Sequence, residues 1–213
     1  MPMSRIRHCT AWLSFLVLLV GVTASASAQT LSGKALIDAL RQGGYVLLMR
    51  HASSPGRTPD KSQAAPGNTA LERQLDDEGK AKAMAMGEAI RSLHIPVGAI
   101  FSSPTFRALQ TIQVSRLGKP KTYEQLGDGG KSMSSSAVAA WASWLRGKVA
   151  ERPQKGTNTL IVTQTPNIAS AFPDKSQGLS AGGALVFRPD GKGGARLVAR
   201  VEIGQWPALA ARY

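Results

Sequence analysis

Cysteine occurs once in the 213 residues, histidine three times, and acidic residues are half as numerous as basic ones. One cysteine excludes a disulfide framework. His8, His51 and His94 lie far apart, with no Cys or carboxylate at ligand spacing, so neither a metal nor a cofactor is expected. Aromatics make up 6% of the chain and none are spaced for stacking on bases. Lys119, Lys121 and Lys131 scatter through a loop, and no specific nucleic-acid interaction is expected. The longest early apolar run, Ala11–Val22, has 12 residues, whereas a membrane-spanning helix needs about 20. There is also no internal repeat and no linker that would divide the chain.

That short run instead reads as the core of an export signal. Arg5 and Arg7 precede it, and Ala24–Ala28 follows, with Ala26 and Ala28 placed for cleavage before Gln29. The expectation is a signal peptide over 1–28, a domain over 29–213, a periplasmic or secreted location and no anchor after cleavage. Cys9 would leave with the signal, so the mature chain would rely on its core alone in an oxidising compartment. It would carry 24 basic against 13 acidic residues, a net charge of +11. A field of that sign attracts anions: phosphoesters, nucleic acid or acidic envelope polymers.

Helix and strand signals alternate, which predicts a three-layer α/β/α domain with a mainly parallel sheet. Lys34–Arg41 is a first helix, stopped by Gly43 and Gly44. Tyr45–Arg50 (YVLLMR) is a strand apolar on both faces, followed by a long Pro-, Gly- and Ser-bearing loop, Ala52–Ala70. Glu78–Leu93 is an amphipathic helix with Asp76 or Asp77 as its cap. Val97–Phe101 is a second strand, and Pro104 suits the first turn of a helix running to Val114. Leu117–Met133 reads as irregular. Ser135 or Ser136 would cap a helix over Ala137–Val149. Leu160–Val162 is a third strand, with a short helix over Asn167–Ala171. Ala184–Phe187 and Ala195–Val201 flank DGKGG, a hairpin signal that places two antiparallel strands at the end of the chain.

The chemistry gathers at strand ends. Tyr45–Arg50 runs straight into His51, and the second strand ends in Ser102-Ser103-Pro104, with Arg107 one turn into the next helix. Ligands of open α/β sheets bind beyond the carboxyl ends of the strands. With these two strands as parallel neighbours, Arg50, His51 and Arg107 converge where a helix N-terminus also favours a phosphate.

LMRHA, ERQLDDEGKAKAMAMGEAI, IFSSPTFRALQT and LIVTQTPNI, in this order, resemble branch 1 of the histidine phosphatase superfamily, the phosphoglycerate-mutase-like fold. The resemblance implies that His51 is the nucleophile and that Arg50 and Arg107 clamp the phosphate. It also implies that a carboxylate after the Arg-bearing helix donates a proton, with Asp128 preferred over Glu124. Signal-bearing members include phosphatases of phosphorylated envelope sugars. Neutral imidazole is suited to attack phosphorus and hold the phosphoryl group until water removes it. Two guanidiniums grip its oxygens and neutralise charge.

One position departs from the family pattern. Gln164 stands where the family has a second histidine, and an amide cannot carry charge. A charge-assisted hydrogen bond is roughly twice as strong as a neutral one, and loss of one such donor costs on the order of 10²–10³ in rate. Gln164 is then expected to bind phosphate as a neutral donor. His94 is no substitute, since about six residues of strand put it ~20 Å from the site. The expected function is an exported, metal-independent phosphomonoesterase of reduced activity. Its substrate would be a phosphorylated small molecule or envelope sugar. The alternatives are an inactive phospho-ligand binding module on the same fold, or docking on anionic polymers through charge alone. An exported protein would not meet the cytoplasmic substrate of a phosphoglycerate mutase.

Overall fold

Alternate residues of the YVLLMR run face two different helical layers, which is why the run is apolar throughout. Leu47 and Met49 join one buried cluster, and Val46 and Leu48 join another on the opposite face. The computed structural model describes residues 30–129 and 133–213. The expected signal peptide and Lys131 lie outside the described residues.

In chain order the elements are α1 (Gly33–Gln42), β1 (Val46–Arg50), α2 (Asp77–Ser92), β2 (Val97–Ser102), α3 (Phe106–Ser115), β3 (Lys121–Thr122), a 3₁₀ turn (Glu124–Leu126), α4 (Ser135–Ala150), β4 (Asn158–Thr163), α5 (Thr165–Ala171), α6 (Pro173–Ser176), β5 (Ala184–Pro189), β6 (Ala195–Val201) and α7 (Gln205–Arg212). The six strands form one sheet in the order β3-β2-β4-β1-β5-β6. The first four run parallel. β5 is antiparallel to β1 and to β6, as the DGKGG signal implied. Helices α1, α2, α3 and α7 cover one face through Ile37, Met86, Ile112 and Trp206. Helices α4 and α5 cover the other through Leu145 and Ile168. Among the described residues no helix is long and apolar enough to cross a membrane.

Several expectations are corrected. β1 and β2 are not neighbours, because β4 lies between them. Strand order is set by where each crossover helix packs, which local sequence does not record. Pro104 lies before α3, with Thr105 in the cap position. Ser134, not Ser135 or Ser136, caps α4, its hydroxyl accepting from Ala137 N at 3.2 Å. The stretch after Leu117 is not wholly irregular, since it contributes β3 and the 3₁₀ turn.

Two features of α2 fix the loop that follows β1. The Asp76 carboxylate caps the helix by accepting from Gly79 N at 2.6 Å and also accepts from Ser53 Oγ at 2.7 Å. Gly79 lies directly against the Ser53 carbonyl, in space that a Cβ would fill. Only a glycine lets the helix and the loop approach so closely.

Candidate active site at the ends of three parallel strands

Register brings the site together. Arg50 pairs with Thr163 on β4, and Val162 pairs with Ser102 on β2. One residue beyond these pairs the strands deliver His51, Gln164 and Ser103 side by side. The ladder continues into the site: His51 N donates to Thr163 O at 3.1 Å, and Ser103 N donates to Val162 O at 2.9 Å. β4 is central, so Gln164 occupies the middle of the group.

Arg107, in the first turn of α3, reaches across this row. Its Nε lies 3.2 Å from His51 Nε2. Nε and Nη2 donate to Gln164 Oε1 at 3.0 and 2.8 Å, and Nη2 meets Asp128 Oδ2 at 3.2 Å. Neighbouring α3 residues support the frame. Thr111 Oγ1 accepts from Ala52 N at 3.1 Å, and Gln110 Oε1 accepts from Leu75 N at 2.7 Å. The polar residues of the SSPTFRALQT segment thus hold the loops on either side of the site.

The tautomer of His51 follows from its partners. Nδ1 lies 2.7 Å from the Ala52 carbonyl, which can only accept, so Nδ1 carries the proton. Nε2 keeps its lone pair, toward which Arg107 Nε–H points. His51 is 5% exposed. Burial, reinforced by the guanidiniums of Arg107, Arg50 and Arg73, pushes its pKa down to about 4, against the pull of the Ala52 carbonyl.

This has a consequence for stability. Histidine in an unfolded chain titrates near 6.5. Between pH 6.5 and about 4 the unfolded chain binds a proton at residue 51 that the folded chain does not. Stability therefore rises with pH across that window, and it is lost as pH falls through it. At about 1.4 kcal/mol per pK unit the gap amounts to about 3 kcal/mol. Urea unfolding at pH 7.5 and 4.5 should show His51→Gln losing about 2–3 kcal/mol less than the parent. Equal losses would contradict a buried, neutral His51.

Gln164 is oriented with equal clarity. Arginine only donates, so the atom facing Arg107 is the amide oxygen. Gln164 Nε2 then donates to Ser103 Oγ at 3.1 Å and to Thr105 Oγ1 at 2.9 Å. Both amide hydrogens are engaged away from Arg107. Gln164 occupies the cap position of α5 without using its side chain as a cap.

A cavity of about 460 Å³ opens beside Arg107, lined by Thr58, Glu72, Arg73, Pro104, Thr105 and Asp128. Arg50 Nε is buried and has no hydrogen-bond partner among the described residues. Glu124 is exposed on the 3₁₀ turn and does not line this cavity. Glu72 was not singled out from the sequence. Its Oε2 accepts from Phe106 N at the start of α3, at 2.8 Å. His94 follows the C-terminal end of α2, ahead of β2, at the opposite end of the sheet from this site.

No curated protein matches the chain. The model of the histidine phosphatase superfamily, branch 1, matches residues 46–127. That stretch holds Arg50, His51, Arg73 and Arg107 and ends before Asp128 and Gln164. Among solved structures, the protein histidine phosphatase SixA complexed with tungstate is similar at a TM-score of 0.53. The identity is 16%, covering 76% of this chain and 98% of that one. A mutant phosphoserine phosphatase from Entamoeba histolytica in complex with phosphoserine is similar at 0.52 and 14% identity, covering 75% of this chain and 97% of that one. The fold is therefore that of these phosphatases, and residues 46–127 match the model of the histidine phosphatase superfamily, branch 1.

Proposed function

We propose that this chain is a metal-independent phosphomonoesterase, exported to the periplasm or medium, that works through a phosphohistidine at His51 with a reduced rate. The observation that carries the reading is the Nε2 lone pair of a neutral, buried histidine, set among the guanidiniums of Arg50, Arg73 and Arg107. The imidazole attacks phosphorus in line, the P–O ester bond breaks, and the leaving oxygen takes a proton from a carboxyl group. Asp128 and Glu72 both line the cavity and are the candidates for that proton. Water then attacks phosphorus and gives a proton back to that carboxylate, the P–N bond breaks, and the lone pair returns to Nε2 as phosphate leaves. Arg50 and Arg107 neutralise the equatorial oxygens. The substrate is a phosphorylated small molecule, with a phosphorylated envelope sugar favoured by the export signal.

Gln164 supports the reduced rate. Its hydrogens are turned to Ser103 and Thr105, and its oxygen holds Arg107, so it adds no charge at phosphorus. The same observation favours a second reading, a phospho-ligand binding module without turnover. Multiple-turnover phosphate release by residues 29–213 separates the two. Gln164→His should raise the rate by on the order of 10² over a measurable parent. A parent with no turnover, activated only by Gln164→His, would replace the enzyme reading with the binding module.

A further inference from the structure

We propose that Arg73 is a third guanidinium of the phosphoryl pocket, supplying the positive charge that Gln164 lacks and setting the pocket to take a dianion. The inference rests on the phosphoryl-binding part of the function above. Arg73 lines the same cavity as Arg107. Its Nε donates to Pro55 O at 2.8 Å and its Nη2 to Ser54 O at 3.4 Å. Both carbonyls belong to the loop leaving His51, so the guanidinium is placed relative to the nucleophile by the loop itself. A guanidinium has five N–H donors, and three of these remain for a ligand.

The charges around the cavity point to what that ligand is. Arg107 shares its charge with Asp128, whereas Arg73 donates to neutral carbonyls. Arg50, Arg73 and Arg107 lie close enough to repel one another, and burial with that repulsion lowers the Arg73 pKa, opposed by Asp128. Arg50 Nε is buried and has no hydrogen-bond partner among the described residues. His51 is neutral and Gln164 has no charge. Three cations then stand against the carboxylates of Asp128 and Glu72, with Glu72 engaged at the start of α3. A dianionic phosphoryl group relieves the repulsion and meets the open donors of Arg73, and a monoanion does so only in part.

Titration calorimetry with inorganic phosphate at pH 6 and pH 8 tests this without needing turnover. His51 stays neutral at both values, so the change in pH reads the second ionisation of phosphate. The parent should prefer the dianion. Arg73→Gln should weaken binding at pH 8 by about 10-fold or more, with a smaller loss at pH 6. Arg73→Lys should keep most of the pH 8 preference, because it keeps the charge. Unchanged binding in Arg73→Gln, or equal losses at both pH values, would overturn the inference, the latter marking Arg73 as a loop tie only. Arg73-dependent dianion binding in a chain without His51-dependent turnover would uphold this inference while removing the enzymatic one. A parent that binds no phosphate would remove both.

Discussion

Alanine at position 51 is expected to lower phosphoester turnover by on the order of 10⁴-fold or more while leaving phosphate binding within a few-fold of the parent. The guanidiniums of Arg50, Arg73 and Arg107 carry charge but no lone pair for phosphorus. The hydroxyls of Ser103 and Thr105 accept from Gln164, and Ser103 Oγ donates its own hydrogen to Thr105 Oγ1 at 3.0 Å. Among the residues gathered here, His51 Nε2 offers the neutral lone pair that the proposed attack requires. Removing the ring leaves the cations in place, so binding and chemistry should separate. Initial rates should be read beside recovery of an acid-labile, base-stable phosphoprotein from the parent. A variant within 10-fold of the parent rate would remove His51 from the chemistry.

Arg107→Ala should be the more damaging change for ligand affinity. Hydrogen bonds to charged groups contribute about 1.5–3 kcal/mol each, and two lost donors weaken phosphate binding by on the order of 10²–10⁴. The free protein changes as well. The Gln164 oxygen loses both of its donors, at about 1–3 kcal/mol for a buried acceptor left alone. His51 loses one source of repulsion, so its pKa should move upward, with burial still holding it below 6.5. Arg107→Lys should recover part of the affinity, since a point charge cannot span His51, Gln164 and Asp128 together. Calorimetry with phosphate and urea unfolding check the two effects separately. Parental affinity in the alanine variant would place the phosphate elsewhere.

The sequence spoke most clearly where one residue type must serve one environment. YVLLMR reads as a doubly buried strand because both faces meet helices, and DGKGG reads as a turn because its geometry is local. The position of β4 between β1 and β2 was not legible, since it depends on how α4 packs across the sheet. Two-residue β3 is too short to carry a pattern, and α6 and α7 were not picked out. At the site, Arg50, His51 and Arg107 stood out because they fall at a strand end or one turn into a helix, whereas Gln164 stood out only as a departure from the family pattern. The partners of Gln164 did not, because they follow from the register of β2 against β4. Glu72 and Arg73 lie in the stretch leading to α2, where spacing says little about direction. Both enter the cavity because the loop after His51 folds back onto α2.

Asp76 joins that loop to α2 with a single carboxylate, one oxygen on the helix and the other on Ser53. Mutational drift meets two requirements there at once. A residue that caps the helix but cannot reach Ser53 preserves the fold and releases the loop beside His51. Of the common caps, Ser and Thr offer one side-chain oxygen and Asn offers one acceptor beside a donor, whereas Asp offers two acceptors. A position that looks interchangeable as a helix start is thereby narrowed to aspartate by the neighbouring site.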